Sequence, residues 1–309
     1  MKRDCLQLID FTAEELRGML ALAAEMKAEV RRGHYRKPFA NKSFACIFHK
    51  PSLRTRISFE VGLAQLGGST LYITEKEIEL GKRESIHDVA KVLGRYVDAI
   101  LIRTFSHCSV EELALHAPVP VVNMLTDLTH PCQVLADIFT VWEHKGTVDD
   151  LVVTYLGDGN NMTNSWLNLA RRIPMELRIA TSPDCLPDPG ILKAAQAEGL
   201  SKIVVTDDPR AAAEGADVLY TDVWASMGQK DQAEAKAGLL KAYQINQGLV
   251  NLAKKDCLVM HCLPAERGKE ITDEVMDGPR SVVFDEAENR MHAQKALMVR
   301  LLEWSNPLA

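Results

Sequence analysis

Missing from this sequence are a long apolar run, a CxxC pair and any excess of positive charge, and each absence closes off a class of function. No stretch is long enough in apolar residues to read as a membrane span, and the first residues do not read as a signal peptide. The seven cysteines form an odd, scattered set, with neither a structural zinc spacing nor a disulfide framework, which points to reduced thiols and the cytoplasm. A formal net charge of −6 argues against nucleic acid or an anionic membrane surface as the principal partner, since both reward a basic face. An anionic ligand must then be held by a local cluster of arginines. Internal repeats of short period and low-complexity tracts are absent as well.

What is present is length and alternation. At 309 residues and 47% hydrophobic, the chain is about twice the ~150-residue domain prior and can bury two ordinary cores. A helical opening (Ala13 to Arg32) is followed by β-rich runs at Phe44–Phe48, Thr70–Ile73, Ala99–Arg103 and Val119–Asn123, separated by helical patterns. A long helical run, Pro131 to Glu143, leads to a second series at Leu151–Leu156, Leu177–Ala180, Ile203–Thr206, Val218–Thr221, Leu258–His261 and Val282–Phe284. The pattern predicts an α/β chain of two doubly wound parallel-sheet domains joined by interdomain helices, with the boundary near Glu143. A last helix, Arg290 to Trp304, has no strand after it and is expected to pack back on the first domain.

In open parallel sheets ligands gather at the carboxyl ends of strands. The chemically able residues follow that rule, and ten strand ends in two sheets are expected to face one cleft. Ser52, Leu53, Arg54, Thr55 and Arg56 lie between a strand and a helix, where backbone N–H groups, the positive dipole end and guanidinium forks favour a phosphate. A Ser N-cap followed by solvated arginines is the competing reading. Arg103 ends a strand, and His130 with Gln133 opens the long helix; with Thr55 they offer donors for a phosphate and an adjacent carbonyl oxygen.

The run Gly157, Asp158, Gly159, Asn160, Asn161 looks superficially like a dinucleotide fingerprint, but its third glycine is missing and the next strand ends without a carboxylate. Adjacent asparagines at a helix start suit a carboxylate or amide ligand instead. Asp222 and Ser226, in the loop Asp222 to Gly228, could capture an ammonium group, although a surface loop would read the same. Cys262 closes a strand beside His261 and is either an inert core thiol or a proton-accepting thiolate. Arg290 follows Glu286, Glu288 and Asn289 and could simply pair with those acids.

Taken in order, these segments resemble the aspartate/ornithine transcarbamoylase family, and its ornithine-using members most closely. The family's phosphate motif corresponds to Ser52–Arg56, its His-Pro-x-Gln motif to His130–Gln133, its Asp-x-x-x-Ser-Met-Gly loop to Asp222–Gly228 and its His-Cys-Leu-Pro motif to His261–Pro264. The resemblance implies a carbamoyl phosphate domain (1–143, completed by 290–309) and an ornithine domain (144–289). It also implies transfer of a carbamoyl group to the side-chain amine of L-ornithine, giving citrulline and phosphate for arginine biosynthesis. By carry-over, Ser52, Leu53, Arg54, Thr55, Arg103, His130, Gln133, Cys262, Leu263 and Arg290 hold carbamoyl phosphate. Asn161, Asp222, Ser226 and Met227 hold ornithine; Arg103, His130, Asp222, Cys262 and Arg290 carry the chemistry, with Cys262, helped by Asp222, expected to stabilise or accept the amine proton. No metal or organic cofactor is implied, and family members are trimers or assemblies of trimers. Leu53 replaces a threonine common in the motif. Glu79 stands where some members place a glutamine that reaches a neighbour's phosphate, and it is expected to pair instead with Lys82 or Arg83. Rival readings are a transcarbamoylase for another amine, a Rossmann-type oxidoreductase and a non-catalytic amino-acid-binding protein.

Overall fold

A computed structural model describes residues 2–225 and 233–305. The chain divides into two compact units, one of Met1–Ala136 with Arg290–Ala309 and one of Asp137–Asn289. The division falls inside the helices Pro131–Lys145 and Val283–Ser305, each of which begins in one unit and ends in the other.

The first unit holds four parallel strands, β1 (Ser43–Phe48), β2 (Ser69–Thr74), β3 (Ala99–Arg103) and β4 (Val121–Leu125), in the order β2-β1-β3-β4. The near-continuous burial of β1, β3 and β4 is the signature of a parallel sheet covered on both faces. Ala45, Ile47, Ile100 and Ile102 meet Ala90, Val110 and Leu113 of the flanking helices in one core. β4 starts two residues later than the sequence pattern predicts, because Pro120 has no N–H to donate; it contributes only its carbonyl, to Ile100 N. The C-terminal helix packs on this unit: Lys295 Nζ donates to Gln65 Oε1 at 2.9 Å, and Trp304 lies 5.9 Å from Phe11, ring to ring.

The second unit holds five parallel strands, β5 (Leu151–Leu156), β6 (Met175–Ala180), β7 (Lys202–Thr206), β8 (Val218–Thr221) and β9 (Leu258–His261), in the order β7-β6-β5-β8-β9. Leu156, Leu219 and Val259 pack with Trp224, Leu240 and Ile245. A tenth strand at Val282–Phe284 is not formed. Ser281 makes an isolated bridge to Val259, and the helix Val283–Ser305 begins at once, with Asp285 and Glu286 in its first turn where the dipole favours acids.

Each sheet reverses its winding direction once, between β1 and β3 in the first and between β5 and β8 in the second. A crevice opens beyond the carboxyl ends of the strands at such a switch point. Thr55 follows β1, Arg103 ends β3, and Asn160 and Asp222 follow β5 and β8.

Candidate functional site

In the first unit the residues after β1 form a capped helix start. Ser52 is the N-cap of the helix Leu53–Gln65, its Oγ accepting from Thr55 N at 3.3 Å. Leu53 and Arg54 occupy the first two helical positions, so their N–H groups belong to the turn that has no intrahelical acceptor. Leu53 turns its side chain outward, 75% exposed, leaving only its backbone to serve a ligand. Arg56 departs from the expected crowding of two guanidiniums. It stacks 3.9 Å over the Tyr72 ring and pairs with Glu60 at 2.9 Å.

Thr55 is fully buried and collects the group together. Its Oγ1 accepts from Arg103 Nη1 at 3.2 Å and from Arg290 Nη2 at 3.0 Å, with Ser52 Oγ a further 3.1 Å donor. Arg103 is aimed by an irregularity in the sheet: Ile102 pairs with Asn123 but Arg103 pairs with Leu125, so Met124 is an extra residue and the strand end is re-directed. Arg103 and Arg290 are 6% and 3% exposed, and His130 is buried beside both. Burial, then the charges of Arg290 and Arg103, hold the His130 imidazole well below its usual range, so it is neutral at pH 7 and can act as an uncharged hydrogen-bond partner. Gln133, buried one helical turn on, donates its backbone N–H to His130 O at 3.1 Å. Ser52, Leu53, Arg54, Thr55, Arg103, His130, Gln133 and Arg290 therefore all belong to one unit, although residue 290 is far from the others in sequence.

In the second unit the group is acidic and centres on Asp222. Its Oδ2 accepts from Asn160 Nδ2 at 3.0 Å, and its Oδ1 accepts from Val223 N at 2.8 Å and from the Cys262 thiol at 3.0 Å. Asn160 is the helix cap and a partner of Asp222; its Oδ1 takes the N–H groups of Met162 and Thr163. Asn161, assigned to ornithine by the resemblance, begins the helix and is buried with it. Asn160's role was readable only from its place as N-cap after β5. Gly159 answers a packing need, since a Cβ there would lie 2.3 Å from the backbone of Leu186 and Pro187. Asp158, buried, pairs with Lys236 at 2.6 Å, an element the sequence pattern did not single out. Ser226 and Met227 lie outside the described residues.

The Cys262 thiol is raised well above its ordinary value, by burial first and then by the negative charge and hydrogen bond of Asp222. It stays protonated at neutral pH and donates to Asp222, which favours the expected role of stabilising the amine proton over that of accepting it. Cys262→Ser should then keep the activity that the resemblance implies within about fivefold of the wild type while Cys262→Ala loses about tenfold, because serine retains an O–H for Asp222. Equal losses in initial-rate assays would return the proton to the sulfur. Leu263, next in the chain, has φ 57° in the left-handed region, and its N–H donates to His261 Nδ1 at 2.9 Å. A leucine held there costs about 1–3 kcal/mol and marks a constrained position.

Asp222, His261 and Cys262 bring potential metal-ligand atoms within 4.8 Å of one another. The histidine is committed elsewhere: Nδ1 accepts from Leu263 N, and Nε2 lies 3.0 Å from Glu270 Oε1, to which it donates. A metal would have to displace one of these bonds. Glu79 also differs from expectation. It is exposed, and the bases pair with other acids, Lys82 with Glu75 at 3.6 Å and Arg83 with Glu84 at 3.0 Å.

Residues 3–143 match the carbamoyl-P binding domain of the aspartate/ornithine carbamoyltransferase family, and residues 149–301 match its Asp/Orn binding domain. The ornithine carbamoyltransferase of Syntrophus aciditrophicus is 48% identical over 302 residues, covering 98% of this chain and all of that one. The solved ornithine carbamoyltransferase of Pyrococcus furiosus superposes with a TM-score of 0.92 at 46% identity, covering 96% of each chain. The anabolic ornithine carbamoyltransferase of Campylobacter jejuni gives a TM-score of 0.92 at 36% identity, covering 97% of this chain and 99% of that one.

Proposed function

Because the chain belongs to the aspartate/ornithine carbamoyltransferase family, we propose that it transfers the carbamoyl group of carbamoyl phosphate to the side-chain amine of L-ornithine, releasing L-citrulline and phosphate. The observation that carries the reading is the pair of buried guanidiniums hung on Thr55 at a helix N-terminus, beside a neutral histidine. The donor's phosphate binds Ser52 Oγ, the N–H groups of Leu53 and Arg54, the Arg54 side chain and Thr55. As the carbamoyl carbon is attacked, charge grows on its oxygen, where Arg103, Arg290 and His130 are the donors. Gln133 serves the carbamoyl end.

The ornithine amine, with a reference pKa near ~10.4, is neutral in only about one molecule in a thousand at pH 7. Asp222 is the anionic group that receives the ammonium and its proton, with Cys262 and Asn160 holding the carboxylate in place. Leu263 stands with them in the second unit. Asn161, Ser226 and Met227 complete the ornithine group by the family resemblance. Carbamoyl phosphate is already activated, so the reaction needs no metal or organic cofactor.

Assembly as a homotrimer, or as a set of trimers, fits an unpartnered face. Leu53, Ile57 and Val61 are exposed at four-residue spacing along one helix, and the edge strand β2 exposes Leu71 beside it. Fully burying such side chains is worth about 1.5–3 kcal/mol each. Ile57→Glu should shift sedimentation from a species of three 34.3 kDa chains toward a single chain; an unchanged boundary would place the contact elsewhere. Seven free thiols suit a reducing cytoplasm, and citrulline formation suits arginine biosynthesis. No helix among the described residues is long and apolar enough to cross a membrane.

The deciding assay is citrulline release from carbamoyl phosphate with ornithine, against putrescine and acetylornithine. The reading predicts product with ornithine alone; faster carbamoylation of either alternative would overturn it.

A further inference from the structure

Lys50 lies two residues beyond the end of β1 and is 6% exposed, and its ammonium has two partners of its own. Its Nζ sits 4.1 Å from the centroid of the Phe105 ring and forms an ion pair with Asp127. Phe105 is two residues past Arg103 at the end of β3, and Asp127 is two residues past the end of β4 and three before His130. One buried charge thus joins the three chain segments that leave β1, β3 and β4. Backbone bonds tie the same segments: His49 N to Arg103 O at 2.8 Å, Thr104 N to Leu125 O at 3.0 Å and Asp127 N to Phe105 O at 2.9 Å. His49 Nδ1 and Thr104 Oγ1, 2.8 Å apart, add a side-chain link.

We propose that Lys50 is a positioning residue for the carbamoyl donor: clamped between the face of Phe105 and the carboxylate of Asp127, its ammonium fixes the spacing of the Arg103 and His130 segments. The ammonium is buried while the Asp127 carboxylate is 62% exposed, so the Phe105 ring quadrupole and the ion pair together hold a charge that little water reaches. The clamp lies wholly in the first unit, so it acts on carbamoyl phosphate and leaves ornithine recognition alone. It rests on the carbamoyl-transfer reading above.

The test is calorimetric binding of carbamoyl phosphate to the full chain in the absence of ornithine, with steady-state KM values for both substrates alongside. Lys50→Met keeps the stem and removes the charge; Phe105→Leu keeps bulk and removes the aromatic face. Each should weaken carbamoyl phosphate binding by about 10- to 100-fold, the scale expected when reacting groups are misplaced by an ångström or so. The KM for ornithine should stay within about twofold, and Lys50→Arg and Phe105→Tyr, which preserve the cation–π contact, should bind within about threefold of wild type. Donor affinity unchanged in Lys50→Met, equal loss in Lys50→Arg, or parallel loss for both substrates would overturn the clamp. If Lys50→Met fails to fold, Phe105→Leu decides by the same criteria. Wild-type protein that neither binds nor consumes carbamoyl phosphate would instead refute the proposed function.

Discussion

Replacing Arg103 by lysine will lower kcat/KM for carbamoyl phosphate by about 10³-fold at saturating ornithine, the upper range for loss of one oxyanion donor. The charge survives such a change, so charge alone is not what the position supplies. Arg103 donates Nη1 to Thr55 Oγ1, and its planar fork fixes the directions of its other donors at the same time. An ammonium on a flexible stem cannot satisfy the buried threonine and a substrate oxygen in fixed directions at once. The neighbouring His130 would remain depressed, because burial is the first cause of its shift and Arg290 still stands beside it. The KM for ornithine should move less than about threefold, since Asp222 and its partners belong to the other unit. A loss under tenfold, measured by initial rates, would remove Arg103 from contact with the reacting group.

The second large effect is expected at Asp222. Asp222→Asn should reduce kcat by about 10³-fold and raise the KM for ornithine, because it removes the negative charge that receives the ammonium and its proton. The geometry makes asparagine a poor replacement even as a neutral spacer. Both carboxylate oxygens already accept hydrogen bonds, from Asn160 Nδ2, Val223 N and the Cys262 thiol, so an amide NH2 on either side would face a donor. The residual rate of the variant should climb with pH toward the ordinary amine value near ~10.4, since only solution equilibrium then supplies neutral amine. A variant with normal turnover and a normal pH profile would show that the proton leaves by another route.

Much of the fold is legible in the sequence itself. The runs that became β1, β3, β5, β8 and β9 are short, apolar and followed by polar residues, and the strand-end rule alone collected Ser52 to Arg56, Arg103, Gly157 to Asn161, Asp222 and His261–Cys262. Where the pattern failed, identifiable forces explain it. Val282–Phe284 has strand composition, but two acids following at once favour a helix N-terminus, and the helix prevails. Arg56 reads as an anion ligand by proximity, yet helical geometry turns it toward Tyr72 and Glu60, four residues on. Thr55 as the shared acceptor of two arginines, and Asn160 as the partner of Asp222, depend on contacts between residues 48, 235 and 62 positions apart. No local periodicity encodes such contacts. The protonation state of Cys262 was likewise beyond reach, because burial and the facing carboxylate decide it.

In the proposed function Arg103 and Arg290, oriented by one buried hydroxyl, hold carbamoyl phosphate. Calorimetric titration of freshly dissolved carbamoyl phosphate into wild-type and Thr55→Val protein tests it most directly, since valine keeps the shape and removes only the oxygen that both guanidiniums address. Guanidiniums no longer held in place by that hydroxyl predict an affinity lower by about 100-fold in the variant, the scale for groups misplaced by about an ångström. Equal affinities would contradict the account.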